Sequence, residues 1–229
     1  MKPQLSRVGA EQSPVVIIDE FSGRVDEVIE IAEQLAPYPR VDSYYPGVRR
    51  VITRDDKRAD DYVVEVCERA GQFIGGAFDL EQFTLVEASF SIVATPPGKL
   101  SPAQRSAHFD SPDPNYLALL HYLRVPRGSG TAFYRQRSTG IERVSEASVA
   151  RFVTAAQRES ALLPPDSGYI TGSNDFFEQI GVVEAVPDRL IIYQGSLLHS
   201  GVIPSGMTFS ADPREGRLTA NLFIRGGPE

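Results

Sequence analysis

The sequence predicts a mainly β domain with an α flank, an antiparallel barrel or sandwich formed in the later part of the chain. Three observations point there. Helical periodicity is concentrated before residue 80, period-two alternation dominates after it, and later strands do not alternate with helices as a parallel α/β sheet requires. The 229 residues read as a single domain, 1–229, with 1–80 as a helical support layer and 81–229 as the β core.

The elements can be taken in order. Residues 15–18, Val-Val-Ile-Ile, form a short β-branched run bounded by Pro14 and Asp19, read as a buried strand. Ser22 is positioned to cap a helix in which Val25, Val28, Ile29, Ala32 and Leu35 share a face and which Pro37 stops. Residues 37–50 read as loop, with Tyr44-Tyr45-Pro46-Gly47 as turn chemistry. A second helix is expected over 56–74, its apolar face made by Tyr62, Val63, Val66, Ala70, Phe73 and Ile74, with Gly75-Gly76 ending it. Strands are expected over 83–94, 116–124, from 130, over 182–186, 189–193 and 217–224. A weak helix is expected within 145–163, ended by Pro164-Pro165, and a short one capped by Ser173 or Asn174 through Gln179.

Composition narrows the function. Apolar residues make up 41% of the chain, which supplies a core, and the charged fraction of 23% reads as globular rather than disordered. A net charge of −7, with no basic run interleaved with aromatics, excludes a nucleic-acid surface. The lone cysteine, Cys67, excludes an internal disulfide framework and reads as a buried thiol on a helix. Residues 1–13 lack the apolar core of a signal peptide and no run reaches the length of a membrane span, so a cytoplasmic location is expected. There is no G-x-S-x-G elbow, P-loop or dinucleotide fingerprint.

The residues suited to chemistry are few. His108 and Asp110, one residue apart, point to the same side of an extended segment and are able to reach one cation. His199 comes after an apolar strand and the turn Gln194-Gly195-Ser196, which suits a barrel mouth. Two His and one carboxylate holding a metal on one face is the arrangement of non-haem Fe(II) oxygenases. The remaining His, His121, lies inside an apolar strand and reads as a satisfied structural residue. Arg217 opens the final strand, with Thr219 and Asn221 on its face. A buried guanidinium there needs an anion, either a ligand carboxylate or an internal acidic partner.

From residue 89 to 226 these features resemble, in order, the Fe(II)/2-oxoglutarate-dependent oxygenase superfamily, most closely its prolyl-hydroxylase-like branch. The ordered set is the strand end Ala94-Thr95-Pro96-Pro97-Gly98, His108-Phe109-Asp110, a strand ending Tyr122-Leu123, Gly130-Thr131-Ala132-Phe133, Asp188-Arg189-Leu190-Ile191-Ile192-Tyr193, His199, and Arg217-x-Thr219. The resemblance implies a double-stranded β-helix (jelly-roll, cupin-like) core with N-terminal helices. It implies Fe(II) on His108, Asp110 and His199. It places 2-oxoglutarate on Arg217 with help from Thr219 and Tyr122, and it implies O2 as oxidant, with release of succinate and CO2. Halogenating relatives lack the carboxylate that Asp110 supplies, so the resemblance favours hydroxylation. The whole chain also resembles a small bacterial family of uncharacterised proteins, which assigns no activity. One departure is a longer separation between His199 and Arg217; the Gly/Pro-rich segment 204–216 is expected to absorb it as a loop.

Two rival readings stand beside this one: a metal-dependent jelly-roll enzyme that does not use 2-oxoglutarate, and a non-catalytic jelly-roll binding protein. The substrate, whether small molecule, amino acid or peptide, is expected to meet loops 43–54, 111–115, 136–143 and 204–216. Arg49, Arg50, Arg135 and Arg137 hint at an anionic or polar one. The early helices are read as covering the barrel or forming a homodimer face.

Overall fold

The computed structural model describes residues 1–40, 44–164 and 166–227; Ser43 of the first mouth loop and Pro165 of the Pro164-Pro165 stop lie outside them. In chain order the elements are β1 (Lys2–Val8), β2 (Ser13–Asp19), α1 (Val25–Gln34), β3 (Gly47–Val51), α2 (Lys57–Phe78), β4 (Phe83–Val93), β5 (Tyr116–Arg124), β6 (Gly130–Gln136), α3 (Val149–Ser160), β7 (Phe177–Glu184), β8 (Arg189–Gln194), β9 (His199–Val202) and β10 (Arg217–Gly226). They form a seven-stranded sheet, β1-β2-β8-β5-β10-β4-β3, facing a three-stranded sheet, β7-β6-β9, with antiparallel pairing throughout.

Three apolar layers hold this together. On the outer face of the large sheet, Phe90, Ile92, Leu117, Leu119, Ile192 and Leu222 pack under Val28, Ile31, Tyr62, Val66 and Ile74 of α1 and α2. Between the sheets, Ala118, Leu120, Tyr122, Ile191 and Tyr193 meet Phe133, Val183 and Leu197. Beyond the small sheet, Ala132, Tyr134, Phe177 and Leu198 pack with Phe152 of α3. Strands β5 and β8 are therefore covered on both faces, which is why their sequences run apolar with little alternation. Among the described residues no helix is long and apolar enough to cross a membrane.

The structure departs from the sequence reading at several places. The first 80 residues supply strands as well as helices: β1 and β2 extend one edge of the large sheet and β3 forms the other. No helix runs from 173 to 179. Asn174 Oδ1 does accept the Phe176 and Phe177 N–H groups, as a cap would, but its own N–H donates to Phe177 O and the chain enters β7. Helix α2 passes through Gly75 and Gly76 and ends at Asp79, whose left-handed conformation (φ 54°) lets its N–H return to Gly75 O. Ser22 does not cap α1 in the usual way; its hydroxyl donates to Asp188 Oδ1 at 2.5 Å.

That Asp188 contact belongs to a buried polar peg joining the helical layer to the sheet. Asp188 also accepts the N–H groups of Ser22 (2.9 Å) and Gly23 (2.8 Å), and it faces His121 Nε2 at 3.0 Å. Burial alone would raise the Asp188 carboxyl, but the bonds from His121 and Ser22 hold it below its ordinary range. An ionised Asp188 requires a proton on His121 Nε2, so Nδ1 accepts from the Tyr62 hydroxyl at 2.7 Å. His121 is thus the satisfied structural residue the sequence suggests. Burial holds its pKa below the ordinary value, the Asp188 contact opposing it.

Tyr62→Phe leaves His121 Nδ1 buried and unpaired and is expected to cost about 1–3 kcal/mol, read as a lower urea midpoint; an unchanged midpoint contradicts the pairing. His121 titrates near 6.5 when unfolded and lower when folded. Below pH about 6.5 the unfolded chain therefore binds the extra proton, and stability falls with pH. His121→Gln is expected to show a shallower fall in midpoint between pH about 7 and 5 than the wild type, and an identical slope sinks this account.

Candidate functional site

The segment after β4 returns towards the small sheet through two short 3-10 turns, Pro97–Lys99 and Ala103–Arg105, and docks on the start of β9. There His108 and His199 exchange backbone hydrogen bonds, His108 N–H to His199 O at 2.9 Å and His199 N–H to His108 O at 2.8 Å. The pairing brings their rings to 4.4 Å between centroids. Phe109 turns the other way and packs edge-on against Phe152 at 5.6 Å, so His108 and Asp110 share the opposite side. The Asp110 N–H donates to Gly195 O at 2.7 Å, fixing the carboxylate beside the His pair.

One ligand atom from each of His108, Asp110 and His199 lies within 4.8 Å of the others. The His199 Nδ1–H donates to Leu197 O at 2.7 Å, which leaves the Nε2 lone pair facing Asp110 Oδ2 at 3.5 Å. Burial lowers His108 and His199 to about 4; for His108 the neighbouring His199 adds to the effect. Burial raises Asp110 to about 6, against the opposing pull of His108 and Arg49. At neutral pH two neutral imidazoles and a carboxylate therefore meet at one point, the His199 Nε2 lone pair among them. Such a set can hold a cation, and its two nitrogens and one oxygen suit a borderline divalent metal. The Asp110 side chain keeps 18% exposure, so the cluster opens to solvent on one side.

Deeper between the sheets stands Arg217, 5% exposed, the first residue of β10. Its Nη2 makes one long bond to Gly130 O at 3.5 Å, its Nε has no partner, and its guanidinium lies 5.7 Å from the Tyr122 ring. No carboxylate pairs with it among the described residues, so the internal ion pair allowed by the sequence is not what is found there. Thr219 pairs with Tyr122 across β10 and β5 and shares the inner face. The Thr219 hydroxyl donates to Asn221 Oδ1 at 2.8 Å, and the Tyr122 and Thr131 hydroxyls meet at 2.7 Å. Burial pushes the Tyr122 phenol up, Arg217 opposing it.

The sequence reading missed the rest of this wall. Ser91 is fully buried beside Thr219. Tyr45 stands near enough for the Arg217 and Arg49 charges to offset the burial that raises its phenol to about 12. Thr131 was within reach of β6 alternation; Tyr45 was not, since it lies in a turn. The segment 204–216 packs over this end of the barrel. Phe209 stacks on Tyr169 at 6.1 Å, Met207 joins the same cluster, and Arg217 keeps its register with Val93. The long His199–Arg217 separation is absorbed without displacing either strand.

A model of a family of unknown function (DUF6445) matches residues 1–224. The chain belongs to this family. No curated protein matches it. Among solved structures, the DUF6445 chain resembles the non-heme alpha ketoglutarate dependent carbocyclase SnoK from nogalamycin biosynthesis, with 10% identity, 94% of this chain and 81% of that one covered, and a TM-score of 0.58. HygX from Streptomyces hygroscopicus, solved with nickel and 2-oxoglutarate, is 13% identical over 94% of this chain and 84% of its own, with a TM-score of 0.54. The viral collagen prolyl hydroxylase of Paramecium Bursaria Chlorella virus-1, solved with 2-oxoglutarate, is 11% identical over 93% and 96%, with a TM-score of 0.50. At these identities the likeness is one of fold: the DUF6445 chain has the jelly-roll fold of Fe(II)/2-oxoglutarate-dependent enzymes.

Gly195 lets Asp110 and its neighbours close up. A Cβ there would lie 2.7 Å from Tyr116 Cδ1 and 3.3 Å from Asp110 Cβ. Gly195→Val is expected to displace Asp110 and weaken Mn(II) binding about tenfold or more, with far-UV circular dichroism retained. Unchanged Mn(II) affinity would show that Asp110 needs no such support.

Proposed function

We propose that the chain is a non-haem Fe(II)- and 2-oxoglutarate-dependent oxygenase that hydroxylates a C–H bond of a small molecule or amino acid. The observation that carries this reading is a two-His, one-carboxylate acceptor cluster in the same inter-sheet space as a buried guanidinium without an acidic partner. The fold adds support, since SnoK, HygX and the viral prolyl hydroxylase share it and their names record alpha-ketoglutarate dependence or bound 2-oxoglutarate.

In this reading His108, Asp110 and His199 would hold Fe(II), with two imidazole nitrogens and a carboxylate oxygen as ligands. The Leu197 carbonyl fixes the His199 tautomer, and Tyr193, 4.8 Å away, packs edge-on to its ring. Arg217 takes the distal carboxylate of 2-oxoglutarate through a charge-assisted fork, and Tyr122 and Thr219 offer hydroxyls to it. The bound group supplies the oxidation, with 2-oxoglutarate and O2 giving succinate and CO2 as the substrate is oxidised. Apolar walls around Leu120, Phe133 and Leu197 exclude bulk water from this chemistry. In this reading Asp110 supplies the carboxylate ligand, which favours hydroxylation over halogenation.

The test compares 2-oxoglutarate with 2-oxobutanoate, which lacks the distal carboxylate, by calorimetric titration of the Mn(II)-loaded protein. Wild type is expected to bind 2-oxoglutarate at least about tenfold more tightly, and Arg217→Met to lose that preference. Equal binding of the two acids by wild type, or a preference that survives in Arg217→Met, rules out Arg217 as the clamp.

A further inference from the structure

A second arginine faces the same space. Arg49 of β3 pairs with Ser91, Ser91 with Thr219 and Thr219 with Tyr122, so the four side chains form one row on the inner face. Glu87 pairs with Phe223, which packs into the inter-sheet core, and so lies on that face too. Arg49 Nη2 donates to Glu87 Oε1 at 2.5 Å and to Ser89 Oγ at 2.8 Å. Its Nε is buried with no partner among the described residues. The pair leads towards the acceptor cluster: Glu87 pairs with Phe223, Phe223 stacks on Tyr116 at 5.6 Å, and a Cβ on Gly195 would lie 2.7 Å from Tyr116 Cδ1 and 3.3 Å from Asp110 Cβ; the Arg49 charge acts on Asp110 as well. The Arg49 and Glu87 side chains are 18% and 37% exposed, unlike the enclosed Arg217.

We propose that Arg49 and Glu87 are the substrate-recognition pair, and that the substrate is a small zwitterion of the amino-acid class, its carboxylate on Arg49 and its ammonium on Glu87. This rests on the oxygenase reading, in which Arg217 is taken up by the co-substrate. A salt bridge serving stability alone contributes little at this exposure and gives no reason to bury a guanidinium N–H unpaired. Charge selects the ligand class. A simple anion bound to Arg49 would leave Glu87 without its counter-charge, and a simple amine on Glu87 would do the same to Arg49. A molecule carrying both groups keeps the pair balanced, whereas a neutral analogue offers neither charge and leaves Arg49 and Glu87 paired with each other.

The experiment is ligand-observed NMR titration with the twenty common L-amino acids, their primary amides and their N-acetyl derivatives. It uses the full chain, with and without Mn(II) and 2-oxoglutarate. At least one amino acid is expected to bind wild type, with its amide and its N-acetyl form each at least about tenfold weaker. Arg49→Gln is expected to lose the preference over the amide, and Glu87→Gln the preference over the N-acetyl form. Each preference is a ratio within one protein, so indirect effects on metal or co-substrate affinity cancel. The proposal is overturned if no amino acid binds, if both derivatives bind as well as their parent, or if the two variants keep the wild-type ratios. Failure of 2-oxoglutarate to bind wild type would instead strike the oxygenase reading, because the metal-free titrations judge Arg49 and Glu87 separately.

Discussion

The reciprocal backbone bonds between His108 and His199 hold the site together. Residues 94–110 form no strand of their own, and they are placed by docking onto β9 and onto the Gly195 carbonyl. Without that pairing, two imidazoles and a carboxylate from distant parts of the chain would have no reason to converge. With it, two imidazoles and a carboxylate are brought to one point, His199 buried and His108 and Asp110 open to solvent. Two imidazoles and one carboxylate converging from distant parts of the chain form a donor set that could hold a metal ion.

The rest of the fold makes this arrangement possible by dividing the faces of the large sheet. Its outer face is almost wholly apolar and is pinned to the helices through the Tyr62–His121–Asp188 peg, where every polar group is paired. Its inner face is apolar over β5 and β8, where the small sheet covers it, and polar over β10, β4 and β3. The unpaired guanidinium of Arg217 stands at the boundary between these regions. A satisfied buried His121 thus contrasts with a buried Arg217 whose Nε has no partner among the described residues.

Much of this was legible in the sequence where side-chain pattern and packing coincide. Strand β5 could be read because both of its faces are buried, and His121 because its neighbours are all apolar. β1 was not legible: it is a largely exposed edge strand whose polar sequence carries no alternation. β3 was hidden by its two arginines and the preceding turn residues, and with it the inward face of Arg49 was lost. β9 has only four residues, too few for periodicity. The misplaced helix at 173–179 shows that a capping side chain announces a turn without deciding whether a helix or a strand comes next. For the site, the His108–Asp110 spacing was informative, but their common side comes from the Phe109 contact and the docking onto β9, which no local pattern encodes. The rival reading of Arg217 as half of an ion pair could be decided only by seeing which acids come near it.

In the proposed reading His108, Asp110 and His199 form one metal centre. Titration of Mn(II) followed by electron paramagnetic resonance, on wild type, His108→Ala and His199→Ala, tests it most directly. The account expects each substitution to weaken binding by at least about tenfold while the protein stays folded. Equal Mn(II) affinity in all three proteins would contradict it.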